Sequence, residues 1–218
     1  MVIERIISLL FPNFCESCSK PAMPFSFLCD DCKKSIVGPL KQDFSISGTE
    51  TARSYSWYEP PFSDMIKAYK FHNRERISRW LAEKLFLLLI ETIPVSIKTK
   101  PVIIPVPTTI SALRARGYDT NRKILIALSK KLQFTLLEPL LATGKHTPQT
   151  LLNKEERKKT QGKFRLRSNT IKLPEEVILF DDVLTTGTTI KDCIKSLKEG
   201  GVKKVHARTL ARTRDKTT

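Results

Sequence analysis

Short runs of apolar residues, separated by stretches of helical pattern, are the main regularity of the chain. Two runs, PVIIPVP at 101–107 and VILF at 177–180, predict strands buried on both faces. Alternation at 52–58 and the segment VKKVHARTLAR at 202–212 predict further strands. Apolar positions at helical spacing predict helices over 61–71, 77–90, 121–132 and 188–201. Strands that alternate with helices predict an α/β domain with a parallel sheet flanked by helices.

The remaining segments predict connections. SALRARGYD at 111–119 predicts a loop or turn. The polar, basic stretch at 142–163 is typical of a mobile loop, in which NKEERKK could form one short helix. In a parallel sheet, ligands bind beyond the carboxyl ends of the strands. This places both the PVP segment at 105–107 and the segment at 181–189 at the predicted binding edge.

Four of the five cysteines form two C-x2-C pairs, Cys15 with Cys18 and Cys29 with Cys32, separated by ten residues. This spacing predicts a zinc ion held by four thiolates, and a closed set of ligands predicts a structural metal. Disulfides, or a site that has lost its metal, are the alternatives, and disulfides do not persist in a reducing cytosol. Cys193 lies on an apolar helical stripe and is predicted to be packed in the core.

The cysteines divide the chain into a predicted zinc-ribbon-like module at 1–38 and a larger domain at 39–218, with Gly38-Pro39 as the boundary. The apolar N-terminus lacks the basic region and cleavage site of an export signal. No apolar run approaches the ~20 residues of a membrane span. We therefore expect a soluble, cytoplasmic protein without a membrane span.

Charge is strongly one-sided, since Lys and Arg outnumber Asp and Glu by 38 to 22, a net charge of +16. The excess is concentrated: residues 98–131 hold eight basic side chains and one acidic one, and 145–172 hold nine and two. Such clustering favours a polyanionic partner, such as nucleic acid, phosphorylated metabolites or acidic lipid. A basic but otherwise ordinary cytosolic protein remains the alternative.

Against this positive background, VILFDDVLTTGTTI at 177–190 ends an apolar run with two acids. The following residues, Thr185, Thr186, Gly187, Thr188 and Thr189, come before a predicted helix, where free N–H groups and the helix dipole favour an anion. Asp181 and Asp182 suit hydroxyl groups or a divalent cation next to that anion. A ribose 5-phosphate meets both demands. Alternatively, a threonine caps the helix and the acids are solvated.

This segment resembles the phosphoribosyl pyrophosphate (PRPP) motif of type I phosphoribosyltransferases. The likeness extends over nearly the whole chain, because several other segments are similar to the ComF family of competence proteins. They are the cysteine pairs after LLFPNF, AYKF at 68–71, PVP followed by LRARGYD, TPQTLL at 147–152 with Arg157, and GKF at 162–164. That family joins a zinc-binding segment to a phosphoribosyltransferase domain.

The resemblance implies specific roles. Asp181 and Asp182 would hold the ribose hydroxyls of PRPP, and residues 185–189 its 5-phosphate. Pyrophosphate would lie on Pro105, Val106 and Pro107, together with the cations of Arg114, Arg116 and Lys70, and Mg²⁺ would accompany PRPP. Ordinary surface charge is the alternative for the three cations.

One departure from the resemblance concerns Asp119 and Thr120, where the family commonly has two amides in R-G-F-N-Q. The resemblance implies competence-type binding of single-stranded DNA in the cytoplasm, with other competence or recombination proteins as further partners. Trp57, Tyr58, Phe71 and Tyr118 could stack bases if they are exposed, and burial in the core is the alternative for each of them. The alternative is an active phosphoribosyltransferase that acts on a small base or amine, releases pyrophosphate and has no role with DNA.

Overall fold

The structure is a computed structural model of the chain, and it describes residues 13–72, 74–143, 164–167 and 172–214. The predicted short helix at 153–159, TPQTLL at 147–152 and residues 162–163 of GKF lie outside the described residues, as do residues 1–12.

A parallel sheet forms the centre of the molecule, as the alternation of strands and helices predicts. The described strands are β1 (Thr51–Trp57), β2 (Val102–Pro105), β3 (Thr135–Leu136), β4 (Leu140–Ala142), β5 (Phe164–Leu166), β6 (Glu176–Leu184) and β7 (Lys204–Arg212). Five of them form one sheet in the order β1-β7-β6-β2-β3, and every neighbouring pair is parallel. β4 and β5 form a separate antiparallel pair. The predicted α/β class is confirmed.

Helices cover both faces of this sheet. The described helices are α1 (Asp30–Ser35), α2 (Phe62–Phe71), α3 (Ile77–Thr92), α4 (Ile110–Arg116), α5 (Thr120–Leu128) and α6 (Thr188–Glu199). Along β6, Ile178 and Phe180 belong to the buried cluster that includes α2, α3 and α5, whereas Val177 and Leu179 belong to the cluster that includes α6. Because β6 is buried on both faces, its apolar run is uninterrupted instead of alternating.

The cysteine segment packs on the same core as the helices. Cys15, Leu28 and Cys29 belong to the buried cluster that contains the apolar side chains of α2 and α3. Ser17 also donates a hydrogen bond to Asp64 of α2, with 2.8 Å between Oγ and Oδ2. The division of the chain at residue 38 stays a prediction.

Two details differ from the expectations. Residues 110–116 form the helix α4 where a loop or turn was expected, because Thr109 caps its N-terminus and Gly117 ends it with φ of +78°. No side chain of α4 is buried, so the helix leaves no apolar stripe in the sequence. β6 continues through Leu184, so Asp181 and Asp182 lie within the strand.

Among the described residues, no helix has the length and apolar character needed to cross a bilayer.

Candidate functional site

A pocket of about 790 Å³ opens at the carboxyl edge of the sheet, where β2 and β6 end beneath α4. It brings together many of the residues singled out from the sequence. Those that line it are Lys70, Val106, Pro107, Arg114, Arg116, Asp181, Asp182 and Thr189. Pro105 ends β2, residues 185–187 lie in the loop after β6, and Thr188 begins α6; all of these lie outside the lining. The topology thus joins segments that are distant in sequence.

The two acids of β6 have different partners. Lys70, near the end of α2, places its Nζ 2.8 Å from Oδ1 and 2.7 Å from Oδ2 of Asp182. Both side chains are largely buried, at 18% and 7% exposure. Such an ion pair is screened much less than a surface pair. Lys70 was expected at pyrophosphate, and in the structure it neutralises Asp182.

Asp181 is held by neutral donors instead. Its Oδ1 accepts hydrogen bonds from Nδ2 of Asn121, at 3.0 Å, and from the backbone N–H of Asp182, at 2.9 Å. Burial, followed by the negative charge of Asp182, raises the pKa of Asp181 to about 7, although Asn121 and Lys70 act in the opposite direction. The two neighbouring carboxyls therefore differ: Asp182 has a cation beside it, and Asp181 can gain or lose its proton near neutral pH.

Asn121 is a pocket residue that the sequence analysis did not identify. Its Nδ2 also donates to the backbone carbonyl of Val106, at 2.9 Å, and so links β6 to the PVP segment. Its Oδ1 is buried without a hydrogen-bond partner among the described residues. Asn121 follows the departure from the R-G-F-N-Q pattern, and that departure was the available signal.

The departure itself has a structural account. Asp119 caps α5 by accepting from the N–H of Arg122, at 2.8 Å, and its other oxygen accepts from the N–H of Thr108, at 3.2 Å. Thr120 contributes its backbone carbonyl, which accepts from the hydroxyl of Tyr69. A carboxylate at position 119 therefore positions the chain that follows the PVP segment.

The backbone of the loop between β6 and α6 is open to close approach by a ligand. Gly187 precedes α6 with φ of +73°, a conformation that other residues adopt only with strain. No side chain caps α6, so the first N–H groups of this helix have no partner within it. Thr185, Thr186 and Thr188 are exposed, and the hydroxyls of Thr186 and Thr188 lie 3.0 Å apart.

The four aromatic residues proposed as stacking platforms differ in exposure. Tyr118 is buried, since its hydroxyl donates to the carbonyl of Tyr69 and its ring packs 5.6 Å from the Tyr69 ring. It cannot stack a base. Phe71 is 66% exposed, with the guanidinium of Arg116 5.2 Å from its ring centroid. Trp57 and Tyr58 are half-buried.

The four paired cysteines form one cluster, in which all Sγ atoms lie within 4.8 Å of one another. Sγ of Cys18 and Sγ of Cys29 are 3.6 Å apart. A tetrahedral zinc ion with Zn–S bonds of about 2.3 Å separates its sulfurs by about 3.8 Å, so the donor set and its size fit zinc. A disulfide needs sulfurs about 2.05 Å apart, and all these cysteines are free.

The cluster also favours one thiolate before any metal binds. Burial acts to raise the pKa of Cys15, but backbone hydrogen bonds at Cys18, Cys29 and Ser17 outweigh it and lower the pKa to about 6. Burial and hydrogen bonds from the other cysteines raise the pKa of Cys32. Metal binding therefore has to displace protons from the cluster.

Two curated relatives match most of the chain, whereas no family model matches it. Competence protein F of Haemophilus influenzae is 30% identical over 206 residues, which cover 93% of this chain and 85% of that protein. Competence protein ComFC of Streptococcus pneumoniae is 25% identical over 188 residues, which cover 84% of this chain and 80% of that protein.

Several solved structures are similar to this chain, with TM-scores below 0.5. The allosteric regulatory enzyme of purine biosynthesis has a TM-score of 0.45 and 14% identity, covering 66% of this chain and 29% of that one. A hypoxanthine phosphoribosyltransferase from Staphylococcus aureus has 0.36 and 15%, covering 66% and 70%. An orotate phosphoribosyltransferase from Aeropyrum pernix has 0.35 and 21%, covering 80% and 76%.

Proposed function

The chain belongs to the ComF family of competence proteins, and from this premise we propose that it acts in natural competence by binding single-stranded DNA in the cytoplasm and that it carries a PRPP site. The observation that carries the second part is the pocket at the carboxyl edge of the sheet, which Asp181 and Asp182 line beside a loop with free N–H groups.

The acids and the loop suit different parts of PRPP. A carboxylate accepts hydrogen bonds from hydroxyls, so Asp181 and Asp182 are assigned to the ribose 2′ and 3′ hydroxyls. The N–H groups and hydroxyls of residues 185–189, at the positive end of the α6 dipole, are assigned to the 5-phosphate. In this assignment the negatively charged 5-phosphate does not lie against the negatively charged side chains of Asp181 and Asp182.

The pyrophosphate of PRPP is assigned to the other side of the pocket. Arg114 and Arg116 project from α4 and line the pocket, and Val106 and Pro107 form the backbone below them. Lys70 gains a second anionic partner there when pyrophosphate binds. Mg²⁺ is expected to bind together with PRPP. Of the two carboxylates that line the pocket, Asp181 has no cationic partner among the described residues. Asp181 is therefore assigned as the oxygen ligand of Mg²⁺.

Binding to DNA is supported by the net charge of +16 and by its clustering. A polyanion that binds such a surface releases counterions, so the affinity is independent of sequence and sensitive to salt. Other competence or recombination proteins are expected as partners in the same process. Turnover of PRPP, with transfer of the ribose phosphate to a small base or amine, is the second candidate, which the pocket geometry also supports.

Single-stranded DNA binding should be measured by fluorescence anisotropy over a series of salt concentrations. With about four phosphate contacts, the slope of log K against log salt is expected near −3, so that a fourfold rise in salt weakens binding roughly fiftyfold. Absence of binding at low salt, or affinity that does not change with salt, would contradict the DNA role. A separate assay with PRPP and a small base, monitored for released pyrophosphate, tests the alternative.

Affinity for PRPP with Mg²⁺ is expected to rise between about pH 6 and pH 8. Asp181, with a pKa raised to about 7, accepts ribose hydroxyls fully only after it loses its proton. The stability of the unliganded protein moves in the opposite direction. Because the folded pKa is above the unfolded value of about 3.9, this group's contribution is present below pH 4 and is lost as pH rises through 7.

The variant Asn121→Ala separates the titration of Asp181 from that of the PRPP phosphates. Without the Nδ2 donor, the charged form of Asp181 loses support, so the midpoint for PRPP binding should move to higher pH. PRPP itself titrates identically with both proteins. Calorimetry that gives the same midpoint for both would show that Asp181 does not govern the pH dependence.

A further inference from the structure

Two arginines of β7 are buried, and they differ in their partners. Arg208 is 1% exposed, and each of its guanidinium nitrogens donates to a neutral acceptor: Nε to Oγ1 of Thr92, Nη1 to Oγ1 of Thr51, and Nη2 to the carbonyl of Thr92. Its Nη1 also donates to the carbonyl of Ala207, so four of its five N–H groups are hydrogen-bonded, and these bonds join β7 to α3 and β1. Its role is structural.

Arg212 is 7% exposed and has no such partners. Its Nε is buried without a hydrogen bond, and among the described residues none accepts from its guanidinium or places a carboxylate within ion-pair distance. A buried guanidinium whose N–H groups lack acceptors is costly, and such a group is normally hydrogen-bonded. The contrast with Arg208 indicates that the partner of Arg212 is a ligand.

The guanidinium of Arg212 is held by aromatic rings. Its Cζ lies 4.8 Å from the ring centroid of Phe44 and 4.5 Å from that of Trp57. Arg214 also contacts Trp57, at 4.6 Å, but Glu59 accepts two hydrogen bonds from Arg214 and neutralises it. Stacking uses the face of a guanidinium and leaves its N–H edge for a planar anion or a phosphate.

Arg212 lies beside the loop assigned to the 5-phosphate. In the register of the sheet its Cα pairs with those of Leu184 in β6 and Trp57 in β1. Residues 185–189 start directly after Leu184, and the N–H of Thr213 donates to the Leu184 carbonyl at 3.0 Å. The arginine therefore stands at the carboxyl edge of the sheet, one strand from the loop.

We infer that Arg212, stacked on Trp57 and Phe44, binds a backbone phosphate of single-stranded DNA. The inference rests on the proposed function, which supplies a strand with repeating phosphates. A phosphate oxygen accepts from the Nη N–H groups of Arg212, because Nε is buried, and provides the missing counter-charge. The DNA contact and the PRPP loop then share one edge of the sheet.

The test compares Arg212→Met with Lys204→Met, which removes one positive charge from the other end of β7, where Lys204 is exposed. Arg212→Met is expected to weaken binding of a labelled oligonucleotide about tenfold and to reduce the salt slope by about 0.7. Lys204→Met should change the affinity by less than about twofold and leave the salt slope unchanged. Arg212→Lys, which keeps the charge without the planar fork, should give an intermediate loss and covers the case in which Arg212→Met fails to fold.

A second readout uses the emission of Trp57. In a Trp80→Phe background Trp57 is the one remaining tryptophan of the chain, and the oligonucleotide should change its emission only when Arg212 is present. If the parent protein binds no DNA, the proposed function fails. If it binds DNA and Arg212→Met binds equally well, the inference alone is overturned. Inorganic pyrophosphate serves as a small-anion probe. If Arg212→Met loses the thermal stabilisation that pyrophosphate gives but keeps DNA binding, the inference is also overturned, because the anion at Arg212 is then a small molecule.

Discussion

Replacing both Asp181 and Asp182 with asparagine is expected to abolish PRPP binding while the fold and the zinc content stay unchanged. The amide side chain has the shape of the carboxyl but removes the charge that accepts the ribose hydroxyls. Hydrogen bonds to charged groups contribute about 1.5–3 kcal/mol each, so the loss of two is at least about 3 kcal/mol, or more than a hundredfold in affinity. Calorimetry with PRPP and Mg²⁺ measures it directly.

The ion pair of Asp182 determines the controls for this variant. Without the Asp182 charge, Lys70 is left largely buried and unpaired, which destabilises the protein independently of any ligand. Adding Lys70→Met removes that charge, so the triple variant should recover thermal stability without recovering PRPP binding. Asp192→Asn with Glu199→Gln, both on α6 and outside the pocket lining, makes the same change in net charge. PRPP affinity that stays at the parent value in the double aspartate variant would refute the assignment of the ribose.

The sequence predicted the sheet and its binding edge because both depend on local patterns. A run such as VILF is apolar on both sides of the strand only when helices cover both faces, and the structure places Ile178 and Leu179 in opposite layers. The parallel order then requires that segments after β2 and β6 meet at one edge. Burial patterns of this kind can be recognised within short stretches of the sequence.

The sequence analysis missed a helix that has no apolar stripe and contacts between distant segments. Helix α4 buries no side chain, so it has no apolar stripe and depends on Thr109 and Gly117 at its ends. The link from Asn121 to Asp181 and Val106 joins three segments of the chain, and no spacing rule indicates it. The burial of Tyr118, the expected alternative to base stacking, depends on its contact with Tyr69 of α2. Such contacts exist only after the helices have packed.

Removal of the metal is expected to have the largest effect on stability. The parent protein should contain one zinc ion per chain, held by Cys15, Cys18, Cys29 and Cys32. Binding to structural zinc sites contributes about 10–16 kcal/mol in small zinc-finger peptides, so loss of the ion should unfold the cysteine segment. Because Cys15 and Cys29 share a buried cluster with α2 and α3, the melting temperature of the larger domain should also fall.

Cys29→Ser and Cys193→Ser separate the role of the metal from that of a buried thiol. Both cysteines are buried, but Cys193 lies on α6 in the other core layer, outside the cluster. Cys29→Ser should lose zinc by elemental analysis and melt at a markedly lower temperature. Cys193→Ser should keep its zinc and lose only the stability that follows from burying a hydroxyl in an apolar layer. If Cys29→Ser retains a full equivalent of zinc, or if chelation leaves the melting temperature of the parent unchanged, the cluster is not a structural zinc site. The disulfide alternative is tested by counting thiols after chelation, which should give all five as free.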